Sequence, residues 1–208
     1  MIRSKKHLLL PCAIITFFQR IIILACIPIL SLGGCSKYSD EVQVNLANLK
    51  KTKACSGCNL VGIELMNFDL KNADLRGANL TGANLRRSDL SEANLTDTNM
   101  ADADLMGVNL ANAKLFDTNL SGAKLSYANI NAADINGVIL KNAHLNNSIV
   151  VNSKIKDSDM TGANLYNADF TGTEIILDTL RGAVLCETVM PSGHTENRGC
   201  STVIWQTR

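Results

Sequence analysis

An apolar residue at every fifth position constrains this chain more than any other feature. Leu60, Leu65, Leu70, Leu75, Leu80, Leu85, Leu90 and Leu95 open the run, and the phase holds without a slip to Met190. Twenty-seven consecutive fifth positions are apolar. A repeat this regular decides architecture ahead of local propensity. Two residues before each apolar one, from Ala73 to Thr188, stands Ala, Ser or Thr, with Val108, Val138 and Asp178 as exceptions. The residue between is usually Asn or Asp, as at Asn59, Asp69, Asp74 and Asn79. Gly often follows two residues later, as at Gly77, Gly82, Gly107, Gly122, Gly162 and Gly182.

The period excludes both regular elements. On a helix at about 100° per residue, a fifth-position Leu steps about 140° round the axis and never forms a stripe. On a long strand an odd period flips it from face to face. A short extended piece fits: the apolar residue and the one two before it point in, the residue between points out. Two further residues turn the chain, which accounts for Gly. Repetition makes a coil, and coils stack at about 4.8 Å by parallel backbone pairing.

Read as A(D/N)LxG, these units resemble the pentapeptide-repeat family; Ala73-Asp74-Leu75-Arg76-Gly77 and Ala83-Asn84-Leu85 match almost letter for letter. The resemblance implies an all-β fold, a right-handed quadrilateral β-helix with four pentapeptides per coil and about seven coils. It implies little about function, because fold does not fix function. Four units per coil would stack residues twenty apart. Lys114, Asp134, Lys154 and Glu174 then alternate in sign, which is mildly favourable, and Asn59, Asn79, Asn99 and Asn119 form a possible Asn ladder. Leu65, Leu85, Leu105, Leu125, Leu145, Leu165 and Leu185 would be one inward ladder.

The chain divides into four parts. Residues 1–34 carry Arg3, Lys5, Lys6 and Arg20 and no acid, followed by apolar residues, and read as a signal peptide. Leu32-Gly33-Gly34-Cys35 resembles the bacterial lipobox, which implies acylation of Cys35 on its sulfur and cleavage before it. An uncleaved signal-anchor helix is the alternative; either way the repeat is exported. Residues 35–54 form a lipid-anchored linker and a short cap helix: Ser39 is a candidate N-cap, Asp40 and Glu41 suit a first turn, Val42, Leu46 and Leu49 have helical spacing, and Lys50, Lys51 and Lys53 suit a C-terminus. Residues 55–190 are the β-helix. Residues 191–208 leave the five-residue phase and form a C-terminal cap, with Val203-Ile204-Trp205 folded back over the last coil. Ile176, Leu177, Val184 and Val189 are apolar where outward polar residues are expected; the tail covers them or they form a patch for a partner.

Of seven cysteines, Cys12 and Cys26 lie in the targeting segment and Cys35 in the lipobox-like motif. Cys55, Cys58, Cys186 and Cys200 remain, an even number for an oxidising compartment. A four-cysteine zinc site fails on distance: about seven coils separate the pairs by roughly 30 Å, whereas zinc needs each ligand within about 2.3 Å. Cys55–Cys58 and Cys186–Cys200 disulfides close the two ends, with free thiols as the alternative for each.

No catalytic, metal or cofactor residues emerge. His144 falls at an outward position between Lys124 and Asn164, His194 lies in the tail, and no nucleophile elbow, phosphate loop or metal-ligand spacing is present. Leu and Ala fill the interior and leave no pocket. The expected function is therefore a non-enzymatic, exported, lipid-anchored scaffold binding an unidentified protein, with no nucleic-acid or small-molecule partner. The location would be the periplasmic side of the inner membrane, the outer membrane or the thylakoid-lumen side. Lipobox, repeat and Cys pairs together resemble exported pentapeptide-repeat proteins of cyanobacteria. Some family members mimic DNA and bind topoisomerases, which is the alternative. Mimicry needs a dense one-signed surface, but after residue 34 sixteen Lys and Arg stand against nineteen acids, a net of −3.

Overall fold

A computed structural model describes residues 37–200. The lipobox-like Cys35, the signal segment and Val203-Ile204-Trp205 lie outside the described residues. The chain opens with helix α1 (Asp40–Thr52), which starts one residue after Ser39 and has acids in its first turn and lysines in its last. Val42 and Leu49 are buried, while Leu46 is only half-buried. The helix lies on the first coil: Asn45 Nδ2 donates to the Asn59 carbonyl at 3.0 Å, and Asn48 Nδ2 to the Ala54 carbonyl at 3.2 Å.

From Ala54 to Val189 the backbone forms a β-helix. Parallel bridges join residues twenty apart, beginning with Ala54 to Asp74 and ending with Asp169 to Val189. Each coil therefore holds four five-residue units. In three places the pairing extends into strands, β1 (Asp134–Asn136), β2 (Lys154–Lys156) and β3 (Glu174–Ile175), which form one parallel sheet in that order. Backbone bonds repeat with the same offsets. Leu65 N–H donates to the Asn84 carbonyl at 2.8 Å, and Asn84 N–H to the Ile63 carbonyl at 2.8 Å.

The side-chain sorting follows from this geometry. Leu65, Leu85, Leu105, Leu125, Leu145, Leu165 and Leu185 are each at most 2% exposed. Most of the small inward column is buried with them, Cys58, Phe68 and Ser158 being half-buried, and Val108 and Val138 fit it at 0% exposure. Its Ser and Thr members are not merely small. Ser88, Thr98, Thr118, Ser153 and Thr188 each donate a buried hydroxyl to the carbonyl twenty-three residues earlier, as Thr118 does to Leu95 at 2.8 Å. Thr173 donates to Val150 in the same way. These bonds satisfy the buried hydroxyls, using the second lone pair of carbonyls that mostly already accept the turn N–H three residues on, as Leu95 does from Thr98 at 3.1 Å.

Asn and Asp at the outward position have an equally local cause. The side-chain oxygen accepts the N–H two residues on, from Asp69 to Lys71 at 3.0 Å through Asp169 to Thr171 at 2.9 Å. This is an Asx turn, and it holds the corner. Side-chain amides link coils in a different column from the expected one. Asn109 Nδ2 donates to Asp89 Oδ1 at 3.0 Å and Asn129 Nδ2 to Asn109 Oδ1 at 3.1 Å. In the Asn59, Asn79, Asn99, Asn119 column the backbones pair, but each side-chain oxygen accepts from its own turn.

One unit departs. Asp178 occupies the small inward position, and a carboxylate there would be buried without a partner. The chain instead forms a 3-10 turn over Leu177–Leu180 and leaves Asp178 exposed. Ile175 is only half-buried, and the phase returns with Leu180 and Leu185. The chain then reverses: β4 (Thr188–Val189) pairs antiparallel with β5 (Thr195–Glu196). Leu185 N–H donates to the Arg198 carbonyl at 2.8 Å. This return half-covers Val184 and Val189, whereas Ile176 and Leu177 remain 64% exposed.

Candidate interaction surface

The outer wall offers flat columns rather than a concave site. The column Lys114, Asp134, Lys154, Glu174 is stacked in register through parallel backbone pairs. Its charged ends make none of the ion pairs among the described residues. The pairs form elsewhere: Arg76 grips Asp74 through Nε and Nη2 at 2.8 and 2.7 Å, Arg86 meets Asp104 at 3.2 Å, Lys71 meets Glu92 at 3.1 Å, and Lys141 meets Asp159 at 3.1 Å. Bases thus interrupt acids on every stretch of wall.

These contacts set the titrations. Arg76 beside Asp74 holds that carboxyl below the usual range. Glu92 holds the Lys71 ammonium up. Asp159 is pulled down to about 2 by the Thr161 hydroxyl and backbone, with Lys141 adding to it. All lie on solvated surface, where such pairs contribute little to stability.

Candidate residues from the sequence are dispersed. His144 is exposed and stacked between Lys124 and Asn164. His194 Nδ1 lies 2.6 Å from the Ser192 hydroxyl in the C-terminal turn. Among the described residues, no three His, Cys, Asp or Glu side chains converge to hold a metal ion. Cys55 and Cys58 are bonded with Cα atoms 5.3 Å apart, and Cys186 and Cys200 with Cα atoms 4.7 Å apart. Cys55 is buried and Cys58 half-buried, so only the first points fully inward.

The wall is interrupted where the 3-10 turn swings out. A cleft of about 510 Å³ opens there, lined by Ser158, Asp159, Thr161, Asp178, Thr179 and Arg181. A second of about 510 Å³ adjoins Ile155, Lys156, Asp157, Glu174 and Ile176. The sequence flagged this place only through Asp178 in the small column and Ile176-Leu177 in the turn.

The model of pentapeptide repeats matches residues 54–87, 69–105, 103–142 and 139–174, in eight copies and over more than half the chain. The chain belongs to the pentapeptide-repeat family. No curated protein matches it. Among solved structures, this pentapeptide-repeat chain is similar to HetL of the cyanobacterium Nostoc sp. strain PCC 7120, a protein involved in heterocyst differentiation regulation. Identity is 19%, coverage is 77% of this chain and 100% of that one, and the TM-score is 0.34. It is similar to QnrB1, a plasmid-mediated fluoroquinolone resistance protein, at 15% identity over 70% of this chain and 80% of that one, TM-score 0.47. It is also similar to a pentapeptide-repeat protein of the Arabidopsis thaliana thylakoid lumen, at 24% identity over 69% and 77%, TM-score 0.28. All three TM-scores lie below 0.5, so none carries an argument about what this pentapeptide-repeat protein does. Among the described residues no helix is long and apolar enough to cross a membrane.

Proposed function

We propose that this protein is a non-enzymatic, exported scaffold, anchored to a membrane by a lipid on Cys35, whose flat β-walls bind another protein. In this reading residues 1–34 are removed as a signal, residues 35–54 tether and cap the helix, residues 55–190 form a right-handed quadrilateral β-helix of about seven coils, and residues 191–208 cap its far end. The Cys55–Cys58 and Cys186–Cys200 bonds form in the oxidising compartment after export. The anchored side is the periplasmic face of the inner membrane, the outer membrane or the thylakoid-lumen face.

The observation that carries the scaffold reading is the wall itself. Many outward Asn and Asp are occupied by their own turns, most Ser and Thr hydroxyls of the small column by carbonyls, and several bases by neighbouring acids, while Lys114 and Lys154 stand in a mixed-charge column. Many polar side chains are thereby engaged in holding the fold, and what remains to a partner is shape and mixed charge. That mixed charge also weighs against DNA mimicry, which needs an uninterrupted anionic stripe.

Metabolic labelling with a fatty acid tests the anchor. The natural chain should carry label and Cys35→Ala should not. Label retained in Cys35→Ala would sink the lipoprotein reading. Co-purification with the anchored form tests the scaffold, and a predominantly cytosolic pool on fractionation would revive DNA mimicry.

A further inference from the structure

We propose that the outer face of α1 seats on an anionic lipid surface, so that the β-helix stands on its N-terminal end with its walls turned sideways to partners. This rests on the lipid anchor of the proposed function and adds to it the face on which the anchored protein meets the bilayer.

The helix crosses the mouth of the first coil. On one side Asn45 Nδ2 bonds the Asn59 carbonyl. Half a coil away, Lys53 meets Asp69 at 2.8 Å and Lys50 Nζ stands 5.9 Å from the centre of the Phe68 ring. Val42 and Leu49 are buried, with Asn45 and Leu46 half-buried beside them. At about 100° per residue, Val44, Ala47 and Lys51 fall on the opposite face. All three are exposed, and their face looks away from the stack of coils.

Charge and apolarity of this end both suit lipid. Residues 37–53 hold four lysines and two acids, whereas residues 54–200 hold eleven bases and seventeen acids. A cap at +2 therefore stands on a body at −6, and an anionic surface attracts the first while repelling the second. Lys53 is taken by Asp69, so the exposed Lys50 and Lys51 of the last turn carry the attraction. Asp40 is the one acid on the line of Val44 and Lys51, and it lies at the other end of the helix. Val44 is 68% exposed, more than any other large apolar side chain among the described residues. An apolar residue beside basic ones fits the headgroup boundary, where lysine stems lie along the surface and their charged ends stay in water.

The tether selects this occupant over a soluble one. Cys35 stands five residues before Asp40, and five residues span at most about 18 Å. The thirteen-residue helix is itself about 20 Å long. A lipid on Cys35 thus holds the start of α1 within one helix length of the headgroups. Binding there is intramolecular, so a few weak contacts suffice where a free helix would dissociate. A soluble protein gains no such local concentration at this end.

The test uses the natural protein, purified from membranes in detergent. It is reconstituted into vesicles of phosphatidylcholine alone and of equal parts phosphatidylcholine and phosphatidylglycerol, and its lysines are reductively methylated at low salt. Lys50 and Lys51 should react several-fold more slowly in the anionic vesicles. The exposed Lys114 and Lys154, on later coils, should react at one rate in both. The difference should vanish at about 1 M salt, where charges are screened within about 3 Å. Val44→Asp changes one exposed side chain; it should keep the circular dichroism and the flotation of the natural protein and lose most of the slowing. Equal rates for Lys50 and Lys51 in a protein that carries lipid on Cys35 and floats with both vesicles would overturn the seat and leave the anchor standing. Equal slowing of Lys114 and Lys154 would lay a wall on the bilayer instead, and slowing in neutral vesicles that grows with protein density would assign the face to a second copy. Either result overturns the proposal. A protein without lipid on Cys35 that floats with neither vesicle would remove the anchor, and the seat with it.

Discussion

The wall before Met160 and the coil after it are built from the same five-residue unit and reach different ends. In the earlier wall most small inward residues are buried, the amide of each inward apolar residue pairs with the next coil, and the outer face is mainly polar, with Val61, Met66, Tyr127, Ile139 and Ile149 as exposed apolar exceptions. In the final coil one inward position holds Asp178, and the unit around it leaves the ladder, turns in 3-10 fashion and exposes Ile176 and Leu177. The lesson concerns where the β-helix is tolerant. Its outer positions accept almost any residue, while its small column rejects a charge so strongly that the backbone moves instead. Burying an unpaired carboxylate costs several kcal/mol, more than the two or three backbone bonds lost at about 1 kcal/mol each.

The largest contrast lies between inward and outward neighbours of the regular wall. Leu125→Lys loses about 1.5–3 kcal/mol of burial and adds a buried unpaired charge costing several more, so it should prevent stable folding. Ser126→Lys, one residue on, loses only the half-exposed hydrogen bond to Asn146 Oδ1. It should shift the denaturant midpoint by less than about 1 kcal/mol of stability. Equal damage from both would refute the assigned phase.

A charge moved into the wall sharpens the comparison next. Ala143→Asp places in a regular coil what Asp178 places in the last one, and should cost several kcal/mol in urea unfolding. Asp178→Ala should cost nothing or stabilise, since the unit can then return to the ladder. A marked loss of stability in Asp178→Ala would show that the 3-10 turn has another cause.

A smaller effect separates two corners. Gly62 and Gly137 both have positive φ, 64° and 66°. A Cβ at Gly62 meets nothing within 4 Å, whereas one at Gly137 would stand 2.1 Å from Asp117 Oδ1. Gly62→Ala should cost about 1 kcal/mol from backbone conformation alone, and Gly137→Ala more. Adding Asp117→Ala to the latter should bring it back to the Gly62 level in thermal melts.

The smallest effect is electrostatic. With a folded pKa depressed to about 2 against an ordinary 3.8, Asp159 contributes stability that is fully present above 3.8 and lost as pH falls through about 2. Asp159→Asn should therefore lower stability slightly at neutral pH and match the natural chain near pH 2. A gap that widens on acidification would reverse this assignment.

Much of this was readable from spacing. Which residues face inward is a local matter: in a short extended piece, neighbours alternate and the turn resets the phase, so Leu125 and Ser126 sort themselves without knowledge of the rest. The four-unit coil came from the family resemblance, with charges twenty apart as a check; those charges are stacked and not ion-paired. The outward Asn and Asp were visible as a pattern whose reason was not, because an Asx turn depends on backbone angles at the corner. The candidate surface was the least legible part: Ile176 and Leu177 stood out as misplaced apolar residues, but nothing in their spacing distinguishes a covered pair from an exposed one.

By itself the sequence determined the repeat, the inward ladder and the family, since each follows from residues within five positions of one another. Tertiary structure decided the rest. The carbonyl that takes the Thr118 hydroxyl belongs to Leu95, twenty-three residues away, and comes within reach only once one coil lies on the next. In the same way, Asp178 could break its unit because the coil above it, through Ser158 and Met160, is held by its other neighbours. A period fixes the direction of each side chain; only stacking fixes what that side chain meets.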